Sequence, residues 1–251
     1  MSGDQLSYAL RLGDDALILS HRLAEWSSKA PQLEDDIALT NIALDLLGQA
    51  RSFLTYAGKL EGENRDEDDF AYLRREDEFR SCLLAEQPNN DDFGLAIARQ
   101  LLFATYQLAL YGALSASSDE TFAAIAAKAV KEVSYHREYA ATWAIRLGDG
   151  THESGKRMQQ SLNDLWRFTG ELFEADEVTG RLVSAGIAPD PDLLRSEWDR
   201  DIDAVLAEAT LERPTSNVLP GTGRSGRHSE HLGYLLAEMQ YLHRLHAGAT
   251  W

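Results

Sequence analysis

AAKAVKEVSYHREYAATW, residues 126 to 143, is the stretch from which the fold can be read. Around it Phe122, Ile125, Ala129, Val133, His136, Ala140, Trp143 and Leu147 recur at three- and four-residue steps, which lays one apolar stripe along a long helix. His136 sits inside that stripe. No segment alternates apolar and polar residues as a half-buried strand would, so the chain is expected to be all-α.

A histidine on the inward face of a bundle helix suggests a metal ligand. Carboxylate-bridged di-iron bundles take a Glu-x-x-His pair from each of two helices and a lone Glu from each of two others. None of the seven histidines has a Glu three residues before it: those positions hold Ile18, Val133, Asp149, Ser225, His228, Gln240 and His243. Asp149 and His152 flank a Gly-containing turn and cannot converge into a bundle core. The pattern predicts a bundle of the di-iron type that has lost its metal site.

Composition narrows the function classes. The chain has 251 residues, six prolines and no Ser/Gly-rich linker, which favours a single helical domain over residues 1 to 251. Its 24 basic and 41 acidic residues give a net charge of −17, the wrong sign for nucleic acid or an anionic membrane surface. Cys82 is the sole cysteine, so no internal disulfide is possible and a cytoplasmic location is expected. The opening MSGDQLSYALRLGDD does not read as a signal peptide. Gln100 to Ser118 carries no charge, but its polar residues point to a buried bundle helix rather than a membrane span.

Taken in order, a helix over about 5 to 28 reads as one-sided and is expected on the outside of the bundle, with Asp14, Asp15, Arg22 and Glu25 facing water. A second follows Pro31, with Glu34, Asp35 and Asp36 in its first turn. Asp45 is the only charge between Ile37 and Ala50, so this helix is expected to be buried nearly all round and Asp45 to have a partner or a function. The acidic run 61 to 69 reads as a solvated loop, and 70 to 85 as a short helix. Asn89, Asn90 and Asp91 are expected to cap a helix over about 93 to 116. Further helices are expected over the His136 segment, 154 to 173, 176 to 184, 192 to 210 and 229 to 245. Glu171 and Glu174 should be exposed, and Ser229 should be an N-cap.

Three constellations bear on chemistry. Gly221 to Gly226 matches Gly-x-Gly-x-x-Gly, but without a βαβ unit the match has no dinucleotide-binding meaning. Arg224 and Arg227 beside it are weak anion-contact candidates, because positive charge is scarce and a helix start follows. The pairs His228/His231 and His243/His246 lack a third ligand and read as surface histidines. Glu132 and His136 can meet on one helix face. They are either remnants of an iron site or a core histidine satisfied by Glu132, Asp45 or Gln49.

Five stretches carry a family resemblance: YALRLGDDALILSHRLAEW (8 to 26), APQLEDDIALTNIALDLLGQARSFLTYA (30 to 57), AAKAVKEVSYH (126 to 136), MQQSLNDLWRFTGELFEADE (158 to 177) and SEHLGYLLAEMQYL (229 to 242). Through them the chain resembles the non-catalytic, ferritin-like subunit family of the multicomponent phenylacetyl-CoA epoxidase of bacterial phenylacetate degradation. The resemblance implies a ferritin-like bundle with extra helices and a degenerate di-iron site. It sets Leu46 where the homologous catalytic subunit has a ligating Glu, Gln49 where it has a His, and Val133 with His136 over its second Glu-x-x-His. Gln100 stands near another lost carboxylate, and Asp45 and Glu132 lie beside these positions. It further implies no cofactor and no catalytic residue in this chain. Di-iron and phenylacetyl-CoA would be bound by the catalytic partner, which this chain would stabilise; homodimerisation in isolation stays open. The rival reading is an autonomous di-iron oxidase or iron-storage bundle using Asp45, Glu132 and His136.

Overall fold

The computed structural model describes residues 2 to 249 and shows helices and loops, with no strand among those residues. It forms two compact units, one made of the residues up to Pro88 and from Thr222 onward, the other of Asn89–Gly221.

The first unit is built on two long helices, α1 (Ser2–Ala24) and α2 (Leu33–Glu61). They run antiparallel, because the Ser2 hydroxyl donates to the Leu60 carbonyl at one end and the Ser20 hydroxyl to the Ala43 carbonyl (2.7 Å) nearer the other. Gly13 lets the helices approach closely: a Cβ there would lie 2.8 Å from a Leu54 methyl. Contrary to the sequence reading, α1 is not an outer helix. From Arg11 to Ser20 every residue is buried, Asp14 and Asp15 included. Its acidic face is turned inward because arginines elsewhere in the unit neutralise it.

The expectation for α2 also fails, in the opposite sense. Its buried face holds Leu39, Ile42, Leu46, Gln49 and Phe53, whereas Leu33, Ile37, Leu44 and Leu47 point outward and Asp45 is only half-buried. Absence of charge does not ensure burial, and here the uncharged outer row faces solvent.

The expected helix over 70 to 85 is broken into a π turn (Asp69–Leu73), a 3₁₀ turn (Glu76–Glu78) and α3 (Leu83–Glu86). Arg74 and Asp14 explain the break: the guanidinium reaches Asp14 and the Phe70 and Glu78 carbonyls, while the Arg80 N–H donates to Asp14 at 2.7 Å. Carbonyls that a helix would use internally are taken by Arg74, and the Arg80 and Cys82 N–H groups by Asp14 and Asp15 of α1. The last helix of this unit, numbered α9 in chain order (Glu230–Leu245), docks on the π turn. Gln240 donates to the Ala71 and Arg74 carbonyls at 3.0 Å, and His243 stacks on Tyr72 at 4.7 Å.

In the second unit the long pair is α4 (Phe93–Leu114) and α5 (Glu120–Gly148), followed by α6 (His152–Trp166), α7 (Glu177–Ser184) and α8 (Pro191–Glu208). Each begins at a side-chain cap: Asp92, Asp119, Thr151, Asp176 and Asp190, with Pro191 in the first helical position. Asp92, not the preceding Asn-Asn-Asp, caps α4. The core centres on Trp198, fully buried, with its indole N–H on the Leu102 carbonyl (2.9 Å) and the rings of Trp166 and Phe173 each 5.4 Å away. An aromatic of this size dominates the burial energy of its surroundings. α6 ends seven residues earlier than expected, and a 3₁₀ turn (Gly170–Phe173) follows.

Phe93–Leu114 is, among the described residues, the one helix long and apolar enough to cross a membrane. Within the protein 89% of that window is buried. The run before Gln100 hides a charge: Arg99 is fully buried and donates to Asn89 at 2.6 Å.

Candidate functional site

The residues singled out as remnants of a metal centre fall on three long helices. On α2, Leu46 is fully buried, Gln49 nearly so, and Asp45 half-buried. In the second unit Gln100 on α4 and Val133 and His136 on α5 are fully buried, while Glu132 is partly exposed. The helical stripe read from the sequence is real at Phe122, Ala129, Val133, His136 and Ala140, with Ile125, Trp143 and Leu147 at its partly exposed edges.

The chemistry of these side chains does not fit a carboxylate-bridged pair of irons. Leu46 and Val133 have no donor atom, and Gln49 and Gln100 carry neutral amides. Only His136, Glu132 and Asp45 are conventional ligands. Two hard cations held by bridging carboxylates need several anionic oxygens. Within either unit, among the described residues, no group of three His, Cys, Asp or Glu side chains converges as a metal-holding set. Gln100 has a further peculiarity: both its amide nitrogen and its amide oxygen are buried without a hydrogen-bond partner.

The best-built polar constellation is elsewhere, in the first unit, and sequence reasoning missed it. Asp15 on α1 is paired in bidentate fashion with Arg224 (2.8 and 2.6 Å) and accepts the Cys82 N–H at 2.7 Å. Arg224 also donates to the Arg80 carbonyl (2.8 Å) and the Arg11 carbonyl (3.3 Å). Its guanidinium is therefore committed inside the unit, whereas Arg227 is exposed. Burial raises the Asp15 pKa, and Arg224 only partly offsets it.

Beside this pair, His228 and Glu86 meet at 2.6 Å with both side chains enclosed. The second Glu86 oxygen accepts the Ser229 N–H and hydroxyl, and the other imidazole nitrogen lies 3.1 Å from the Phe79 carbonyl. Burial opposes the imidazolium, but the Glu86 carboxylate outweighs it and the His228 pKa is raised. His228 is thus not the surface histidine expected. Ser229 does precede α9, but its hydroxyl serves Glu86 rather than the helix N–H groups. Arg22 completes the set by donating to the carbonyls of Glu86 and His231. Gly226, at φ 79°, turns the loop where a Cβ would meet the Asp77 carbonyl at 2.3 Å. The Gly-rich motif is a structural turn here.

Glu171 corrects another expectation: it is buried, not exposed, while Glu174 is exposed and accepts the Gly221 N–H at 2.8 Å. The signal that could have found the buried clasp was the shortage of positive charge relative to acid. In a chain with 24 cations against 41 anions, each arginine in a loop is a candidate for internal neutralisation.

Comparison with known proteins places these features in a family. The chain is 51% identical, over 245 residues and 98% of both chains, to a 1,2-phenylacetyl-CoA epoxidase subunit from Escherichia coli K12. Among solved structures it resembles a Synechococcus protein with aldehyde deformylating oxidase activity, at a TM-score of 0.59 and 16% identity over 84% of this chain and 93% of that one. That likeness establishes an all-α, ferritin-like helical fold. The family model described as phenylacetic acid catabolic protein matches residues 2 to 251. The chain therefore belongs to the phenylacetic acid catabolic protein family.

Proposed function

We propose that this chain is the structural, non-catalytic subunit of a cytoplasmic phenylacetyl-CoA 1,2-epoxidase, binding and stabilising a homologous di-iron catalytic subunit in aerobic phenylacetate breakdown. The observation that carries the reading is the 51% identity over 98% of both chains to a subunit of such an epoxidase. The donor set is consistent with it: leucine, valine and two glutamines stand where the resemblance sets the ligands of a carboxylate-bridged centre. A site with one imidazole and scattered carboxylates is poorly suited to activating dioxygen between two metals. Neutral side chains in the interior also avoid the cost of buried carboxylates that have no cation to pair with. The surplus of acid would repel a CoA ester, so the phosphates would be met by the partner.

The test is co-expression with the catalytic subunit of the same enzyme, size exclusion, and metal analysis of each chain alone and together. The expected result is a joint complex with iron in the partner only, and turnover retained by a complex carrying folded His136→Ala. Two irons per copy of this chain alone, or loss of turnover by that variant in an intact complex, would instead favour an autonomous di-iron oxidase.

A further inference from the structure

The outer row of α2 is left uncovered by the described residues. Leu33, Ile37, Leu44 and Leu47 are 71%, 54%, 59% and 42% exposed, and between Ile37 and Leu47 the only other fully outward side chain is Asn41. A row at 33, 37, 41, 44 and 47/48 is one face of a helix, and it stays free of charge for about four turns in a chain that is 26% charged. Scattered single exposed leucines need no explanation, but a contiguous row does.

Gly48 lies on the same face. It sits inside a 29-residue helix, where glycine is worse than alanine by about 1 kcal/mol, and a Cβ added there would meet nothing within 4 Å. The fold gives no reason for a glycine at this place. A second helix crossing α2 there would give one, since a missing side chain lets two backbones come close. Beyond Leu47 the row opens into a cleft of about 310 Å³ lined by Leu47, Leu54, Tyr72, Arg51, Glu67 and Asp68. Arg51 is paired with Glu67 at 2.8 Å, and Asp68 is exposed.

We infer that this face is a docking surface for a helix of another polypeptide. That helix would lay an apolar row along Leu33 to Leu47, cross at Gly48, seat one large apolar side chain in the cleft, and carry basic residues at both ends. Charge decides against a second copy of this chain. The face is bounded by Glu34 and Asp36 at one end and by Glu67 and Asp68 at the other. Antiparallel self-pairing centred on Leu44 would set Glu34 opposite residue 54, beside Glu67; parallel self-pairing would set Glu34 against itself. The second places acid on acid, and either would join two partners of net charge −17. Lys or Arg flanks complement both ends.

The inference rests on the proposed subunit role, and its test separates the two. The full chain and its variants are titrated with the purified catalytic subunit. Leu44→Arg and Gly48→Leu, both on the solvent face and the second favourable for helix formation, are each expected to weaken binding at least tenfold. Leu193→Arg, the same kind of change at a 69% exposed leucine of α8, is expected to leave binding unchanged. Wild-type affinity in both α2 variants would overturn the docking face and leave the subunit role standing. Equal weakening by Leu193→Arg would overturn it as well. Failure of the unaltered chain to bind would instead remove the subunit role. A homodimer of the unaltered chain dissolved by Leu44→Arg, with partner binding intact, would overturn the choice of occupant.

Discussion

Replacing Arg224 by methionine isolates the contribution of the buried clasp. The substitution keeps most of the aliphatic stem and removes a guanidinium that makes two charge-assisted bonds to Asp15 and two bonds to the Arg80 and Arg11 carbonyls. Asp15 is 3% exposed and retains only the Cys82 N–H among these partners, so its carboxylate becomes a buried charge without a counter-ion. Breaking a buried pair by removing one partner destabilises by about 3 to 5 kcal/mol. The lower figure applies here, because Arg224 is 16% exposed and because Asp15 can escape by taking up a proton. A loss of about 3 kcal/mol would speed exchange of the α1 amides through unit opening about 150-fold. Asp15 already has a raised folded pKa, which removal of Arg224 raises further. Raised acid pKa means that the folded state holds the proton more tightly. The deficit should therefore be largest at neutral pH and shrink towards about pH 4. Hydrogen exchange of full-length wild type and variant, repeated across that range, reads both features. A change below about threefold at pH 7, or a deficit that grows on acidification, would refute the account of Asp15 as a buried anion held by Arg224.

Two further outcomes follow from buried polar groups. The folded pKa of His228 is raised by Glu86, so its contribution is complete below the unfolded value of 6.5 and is lost as pH climbs through the folded value. Wild type should lose stability relative to His228→Asn on going from about pH 6 to pH 9, and parallel urea curves over that range would contradict it. Gln100→Met should raise stability by about 1 kcal/mol, because it removes two buried polar atoms that have no partner at little change in volume. A fall of that size in urea denaturation would show that the Gln100 amide is satisfied in solution.

Much of the local structure is legible in the chain. The three- and four-residue steps around His136 predict a helix that the structure bounds at Glu120–Gly148, and capping chemistry locates several helix starts within a few residues. That Leu46 and Val133 offer no donor atom can also be read, because their side chains lack one wherever they are placed. Two inferences fail for opposite reasons. The charged residues of α1 suggest a solvent-facing helix, and the uncharged ones of α2 a buried one. Both inferences assume that the helix environment follows from its own residues. Environment is set by what the rest of the fold brings to each face.

The sequence by itself determined the helical class and several of the helix starts, since periodicity and capping are properties of neighbouring residues or of single side chains. Only the tertiary structure decided which charges lie inside and which apolar row lies outside. Asp15 meets Arg224 across 209 positions and Glu86 meets His228 across 142, and such pairs have no local signature. An ionised carboxylate is stable in the interior when the folded chain delivers a cation or hydrogen-bond donors to it, and for Asp15 and Glu86 no window of sequence contains that event.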